Sequence, residues 1–227
     1  MKISQLLMTG TVAIFFLASC SKSGTDGTSA TAASMQLQLT TSNPIVVVNK
    51  PTAGSITWTS GSAYATETKL EAKQNNSQLE FKSAIAQQIN LFGSVITGLG
   101  NIVIPPGTYT EVEYKITVNQ NASTPALELN GQYTNGSGGV TPVVFDINSL
   151  FVIKAEQSNI VVGANTSITA LTTLDLSFVS SGITQVMMNG ATISGGKILI
   201  SASSNINLYN IIINNLLQFH HVDVTHH

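Results

Sequence analysis

Arginine is absent from this chain. Its planar fork is the usual bidentate clamp for phosphate and carboxylate substrates, so that means of recognition is missing. Nine lysines are scattered along the sequence and the formal net charge is −2 at pH 7. No basic footprint for nucleic acid results. Only 9% of residues are charged, so the polar surface must be built mainly from Ser, Thr, Asn and Gln. Aromatic residues make up 6% of the chain, with a single tryptophan, which argues against a sugar-binding module built on aromatic platforms. One cysteine excludes any internal disulfide. All four histidines lie within the last eight residues, far in sequence from any serine in a nucleophile elbow, and no GxSxG, GxGxxG or phosphate loop is present.

What is there is 43% hydrophobic, and it is patterned, which points to a folded β protein rather than a disordered one. Lys2 precedes an apolar stretch from Leu6 to Leu17. A stretch of about twelve residues is too short to span a bilayer, which needs roughly 20, and suits a secretion signal. It ends in Leu17-Ala18-Ser19-Cys20, which resembles a lipobox. By that resemblance residues 1–19 are a signal peptide and Cys20 is the lipid attachment site. Each buried CH₂ of an acyl chain contributes about 0.8 kcal/mol, so two or more chains anchor stably. Residues 20–34 read as a flexible tether rich in Gly, Ser, Thr and Ala, with a reach of roughly 20 Å. Ser21 rather than Asp after the cysteine favours the outer membrane, by resemblance to sorting rules in Gram-negative bacteria.

From Met35 onward the apolar residues alternate. Met35, Leu37 and Leu39 share one phase, and a run Ile45–Val48 follows Pro44. In residues 66–73, Glu67, Lys69, Glu71 and Lys73 line one side of a strand. Asn75-Asn76 makes a turn, and Leu79 and Phe81 then alternate with Gln78, Glu80 and Lys82. This predicts a hairpin with a charged outer face. Pro105-Pro106-Gly107 is a turn, after which Val112, Tyr114, Ile116 and Val118 face opposite to Glu111, Glu113, Lys115 and Thr117. Further strands are predicted at 126–133, 143–147, 151–156, 160–162, 171–179, 191–194 and 197–202. Helical spacing marks 181–188 weakly and Asn205–Phe219 better, through Leu208, Ile211, Ile212, Leu216 and Phe219, with Ser204 or Asn205 as the N-cap. The expected fold is mainly β: an antiparallel β-sandwich over 35–219 with a short C-terminal helix, then a His-rich tail over 220–227.

Four segments carry a family resemblance: Gln88-Ile89-Asn90-Leu91-Phe92, Ile104–Val112 with its Pro-Gly-Thr-Tyr turn, Pro142–Phe145, and Leu171–Ser177. Together they resemble an uncharacterised Bacteroidota-type lipoprotein family with a transthyretin-like or immunoglobulin-like β-sandwich. The likeness covers roughly residues 55–178 and departs from the pattern at Leu174-Asp175-Leu176-Ser177, where a second acid is expected. It implies an envelope location and a fold, but no reaction, cofactor or catalytic residue.

The acids Glu67, Glu71, Glu80, Glu111, Glu113, Glu128, Asp146 and Asp175 sit on polar strand phases. That favours a hydrated sheet face with near-normal pKa values over a catalytic pair, although neighbouring strands can bring Glu67, Glu71, Glu111 and Glu113 together as a calcium-binding cluster. Trp58 shares the phase of Ile56 and reads as core. Tyr109 reads as a hydroxyl that ties the corner after Pro105-Pro106-Gly107. In the tail His220-His221-Val222-Asp223-Val224-Thr225-His226-His227, the residues His221, Asp223 and His227 would share a strand face and form a candidate metal set; a frayed polar terminus is the simpler reading. The function expected is that of a non-enzymatic, lipid-anchored envelope protein, structural or partner-binding, with no cofactor. Its partners are the membrane through the anchor and a protein or glycan, not nucleic acid. The alternatives are a glycan-binding module of a surface uptake system and a metal-handling lipoprotein using the His-rich tail.

Overall fold

The computed structural model describes residues 32–48, 54–75, 77–93, 95–122, 124–218 and 222–226. The elements in chain order are β1 (Ala33–Ser42), β2 (Ile45–Val48), β3 (Gly54–Gln74), β4 (Ser77–Asn90), β5 (Asn101–Ile104), β6 (Gly107–Val118), β7 (Leu127–Thr134), β8 (Val140–Ile147), β9 (Phe151–Val162) and β10 (Ser167–Asp175). There follow α1 (Leu176–Val179), α2 (Gln185–Asn189), β11 (Ile193–Ser194), β12 (Lys197–Ile200), α3 (Ile206–Gln218) and β13 (Val222–His226).

Among the described residues the strands form two sheets. The smaller has the order β13-β10-β1-β5. The larger has nine strands organised around β3, which is 21 residues long. Register shifts at Trp58/Ser60 and Ala65/Glu67 divide β3. Its first half pairs with β2 and β7, its second half with β4 and β6, and β9 follows β6. Bulges of this kind bend a strand and raise its twist, which lets one long strand serve two sets of neighbours.

Alternation decides the faces. On the second half of β3, Thr68, Leu70 and Ala72 are buried, as are Val112, Tyr114 and Ile116 of β6 and Ile153 and Ala155 of β9. Met35, Leu37 and Leu39 of β1 and Ile168, Ala170 and Leu174 of β10 are buried too, in the same core cluster. A Cβ added at Gly100 would lie 3.3 Å from Leu37 Cδ1 and 3.5 Å from Thr68 Oγ1. The two sheets therefore meet across this glycine as a sandwich. At the other end of β3 the second layer is helical. Trp58, 2% exposed, donates its indole N–H to Ser180 Oγ at 3.0 Å. Phe145 meets the Tyr209 ring of α3 at 5.9 Å. Within the sheet Gly131 of β7 lets β3 approach closely beside Trp58, because a Cβ there would stand 2.5 Å from the Thr57 carbonyl oxygen.

Several sequence expectations are corrected. The sandwich is of mixed orientation rather than antiparallel: β1 runs parallel to β10, and β8 parallel to β12. Both parallel pairs join strands far apart in sequence, where long connections allow either direction. The strand expected over 171–179 stops at Asp175. The Asp175 carboxylate accepts from the Ser177 and Phe178 amides and turns the chain into α1, as an N-cap does. The helix expected over 181–188 is the shorter α2, capped by Thr184. Residues 151–162 form one strand, not two. Ala33 and Ser34, expected in the tether, already belong to β1. The tail is not frayed over Val222–His226, which pairs with β10 from Ile168 to Thr172. Its alternating valines and a free sheet edge supply what a loose terminus lacks. Helix α3, Ile206–Gln218, lies within the expected 205–219, with Leu208, Ile212 and Leu216 buried; Phe219 lies outside the described residues.

Candidate functional site

The expected charged face is present, with a geometry that follows from strand register. Lys82, Lys69, Lys115 and Lys154 stand in one straight row across β4, β3, β6 and β9. Glu80, Glu71, Glu113 and Glu156 stand in the next row. Like charges are thus directly opposite, and attraction runs on the diagonals and along the strands. The contacts join into one alternating chain: Lys82–Glu80 at 3.3 Å, Glu80–Lys69 at 3.0 Å, Lys69–Glu71, Glu71–Lys115 at 3.2 Å, Lys115–Glu113, Glu113–Lys154, and Lys154–Glu156 at 3.4 Å. Beside it Lys73 meets Glu111 at 2.6 Å. Five of the nine lysines and five of the eleven acids lie in this ribbon.

The acids are less hydrated than their polar strand phases predict. The Glu113 side chain is only 8% exposed. The hydrogen bond from Lys69, supported by Lys115, holds the Glu71 carboxyl at about 2. Lys69 also lowers Glu80, and the carboxylates raise Lys69 and Lys115 in return. The expectation of near-normal carboxylates is corrected at Glu71 and Glu80, because lysines hydrogen-bond them: Lys69 of the same strand and Lys115 of β6 at Glu71, and Lys69 of the neighbouring β3 at Glu80.

The four-acid cluster expected from Glu67, Glu71, Glu111 and Glu113 is only partly assembled. Glu71 opposes Glu113, but Glu111 opposes Lys73, and the Ala65/Glu67 bulge sets Glu67 against Thr117. Glu111, Glu113 and Glu156 bring carboxylate oxygens within 4.8 Å of one another, and each is held by a lysine. Glu128 and Asp146 oppose each other on β7 and β8, with Asn130 on Glu128 at 2.7 Å and Asn148 on Asp146 at 3.2 Å. Burial, with a contribution from Glu128, raises Asp146. No spacing in the sequence marks this pair, since only the β7–β8 register creates it.

Tyr109 donates its hydroxyl to the Pro105 carbonyl at 2.7 Å, the corner tie read from sequence. Trp58 is core. Three hydroxyls inside the sandwich, Thr68 Oγ1, Tyr114 OH and Thr172 Oγ1, are buried without a hydrogen-bond partner among the described residues. Burial pushes the Tyr114 phenol well above its usual range. Cys20, His220, His221 and His227 lie outside the described residues. Asp223 falls at register with Leu171, and His226 with Ile168.

The second feature is a groove of about 380 Å³ between α2 and the start of α3, lined by Val186, Met187, Ala191, Asn205, Ile206 and Leu208 among others. Asn205 fixes one wall: its amide donates to the Thr192 and Leu199 carbonyls and its oxygen accepts from the Thr192 amide. Val186 is 80% exposed, and Met187 and Ile206 are exposed beside it. Between residues 176 and 218 the only charged residue is Lys197. No sequence pattern marks the groove, because it arises where two helices of unrelated register meet. Comparison with protein-family models, curated proteins and solved structures found no match.

Proposed function

We propose that this chain is a lipid-anchored protein of the cell envelope that binds a protein partner through its helical end, without catalysis. One observation carries the binding reading: an open groove with an exposed apolar rim, in a segment of 43 residues holding one charge. Apolar side chains gathered at a concave surface mark interaction sites more often than scattered ones do. The Leu-Ala-Ser-Cys box supports the anchor, and the resemblance to Bacteroidota lipoproteins supports the location. The chain enters the domain at Ala33, while Ser42 at the other end of β1 pairs with Asp175, where the helices begin. Ten residues of strand separate these points, on the order of 30 Å. The groove is lined by helices that follow Asp175 in the chain, past the Ser42 end of β1. The non-enzymatic reading is supported by the acids of the ribbon, each neutralised by lysine.

The test is site-specific photocrosslinking in the native host. A crosslinker at Val186 or Ile206 should give a discrete adduct that Met187→Glu weakens, and one at Thr117 should not. Identical adducts from all three positions, or none from any, would refute the groove as a partner site.

A further inference from the structure

We propose that the free edge of β4 is a self-association surface, where a second copy of this chain adds antiparallel about a two-fold axis through Phe81. The ribbon itself raises the question. Within it Lys69, Lys115 and Lys154 each contact two carboxylates, but Lys82, at the outer strand, contacts one. Its next neighbour would have to come from beyond the sheet edge. Among the described residues β4 pairs only with β3, which leaves one side of a 14-residue strand open. Open edges are templates for another strand.

The sequence of this edge is self-complementary in one register. With Phe81 opposite Phe81 of the second copy, Glu80 faces Lys82 and Lys82 faces Glu80 on the charged face. Centring on Glu80 or Lys82 instead sets one like-charge pair on the axis and leaves the other charge opposite the uncharged Gln78 or Ala84. Centring on Leu79 or Ser83 opposes charges with Gln78 or Ala84. Direct cross-strand pairs of opposite charge contribute roughly 0.2–1 kcal/mol each, and the pairing would join two ribbons into one. The inner side of the same edge is partly apolar, with Leu79, Phe81 and Ile85 incompletely covered. A cleft of about 310 Å³ separates Phe81, Lys82 and Ser83 from Gly100–Val103, so the flank is not sealed by the other sheet.

Glu156, the other end of the ribbon, also has one lysine, which would allow head-to-tail growth. That strand carries further contacts, however, with β13 and α3. A closed pair through β4 is therefore favoured over an open filament.

Charge reversal in two differently tagged full-length copies, co-expressed and extracted in mild detergent, tests this. Wild-type copies should co-purify as a dimer by light scattering. Glu80→Lys with itself, and Lys82→Glu with itself, should lose at least tenfold in association. Glu80→Lys with Lys82→Glu should recover it, because every central pair is again opposite in charge. A Phe81→Cys chain should crosslink to itself on oxidation, beyond any crosslinking of the wild type through Cys20, and Val161→Cys on β9 should not. Recovery by mixing separates the interface from misfolding, which mixing cannot repair. A wild type that stays monomeric, a mixture that fails to associate, or assemblies larger than a dimer would each overturn the proposal.

Discussion

Replacing Lys115 by methionine should destabilise the fold far more than the same change at Lys82, although both are lysines of one ribbon on one face. Lys115 holds two carboxylates, Glu71 at 3.2 Å and Glu113, and Glu113 is largely buried. Lys82 holds one, at 3.3 Å, and its side chain is half exposed. Exposed pairs contribute about 0–1 kcal/mol. Removing one partner of a buried pair costs about 3–5 kcal/mol, because the remaining charge is left in a poor environment. Lys115 lies between these limits. Its neighbours in the lysine row, Lys69 and Lys154, repel it and lower the net value, and Lys154 still serves Glu113 after the change. For the separated subunit a cost of about 2 kcal/mol results for Lys115→Met and at most about 0.5 kcal/mol for Lys82→Met. For a domain of this size each kcal/mol moves Tm by roughly 2–4 °C. Thermal unfolding followed by circular dichroism at low salt should therefore show a fall of about 4–8 °C for Lys115→Met and no more than about 2 °C for Lys82→Met. In 1 M salt the smaller effect should vanish and most of the larger one should remain, since a partly buried pair is less screened. Equal shifts for the two variants would refute the reasoning, as they would show that position in the ribbon carries no energetic weight.

Glu71 should make stability acid-sensitive. Its carboxyl is held at about 2 in the fold against an ordinary value of 4.5, so its contribution is complete above about pH 4.5 and is lost as the pH falls toward 2. Glu71→Gln should flatten the dependence of Tm on pH across that window, and an unchanged slope would contradict the assignment. Ser180→Ala should leave the buried Trp58 indole N–H without its acceptor, at a cost of about 1–3 kcal/mol. Unfolding monitored by the single tryptophan reports it, and an unaltered Tm would show that the bond carries no stability.

The faces of this protein were legible in its sequence, but the neighbours were not. Alternation placed Lys69, Glu71 and Lys73 on one side and Leu70 and Ala72 on the other, as the structure has them. Which residues oppose across strands depends on register, and one bulge at Ala65/Glu67 decides it. That single irregularity sets Glu67 apart and leaves Glu71 facing Glu113. The lysine row across four strands follows from three registers together, and only that of β3 and β4 has a local signal, in the Asn75-Asn76 turn that sets Gln74 opposite Ser77. Strand direction is hidden for a related reason: β1 and β10 are far apart in the chain, and alternation is the same in a parallel pair as in an antiparallel one. At 171–179 an apolar alternation outweighed a capping signal that was present, Asp175 followed by Ser177. The groove between α2 and α3 joins residues about 20 positions apart on two short elements, beyond the reach of any periodicity.

The central claim, an anchored binding protein rather than a freely diffusing one, is tested most directly at Cys20. Cells expressing the full chain are fed an alkyne-bearing fatty acid, and the protein is isolated and probed for label. Wild type should carry the label, Cys20→Ala should not, and the mature wild-type chain should begin at Cys20. Label that persists in Cys20→Ala, or a mature wild-type chain that begins elsewhere and carries no lipid, would contradict it.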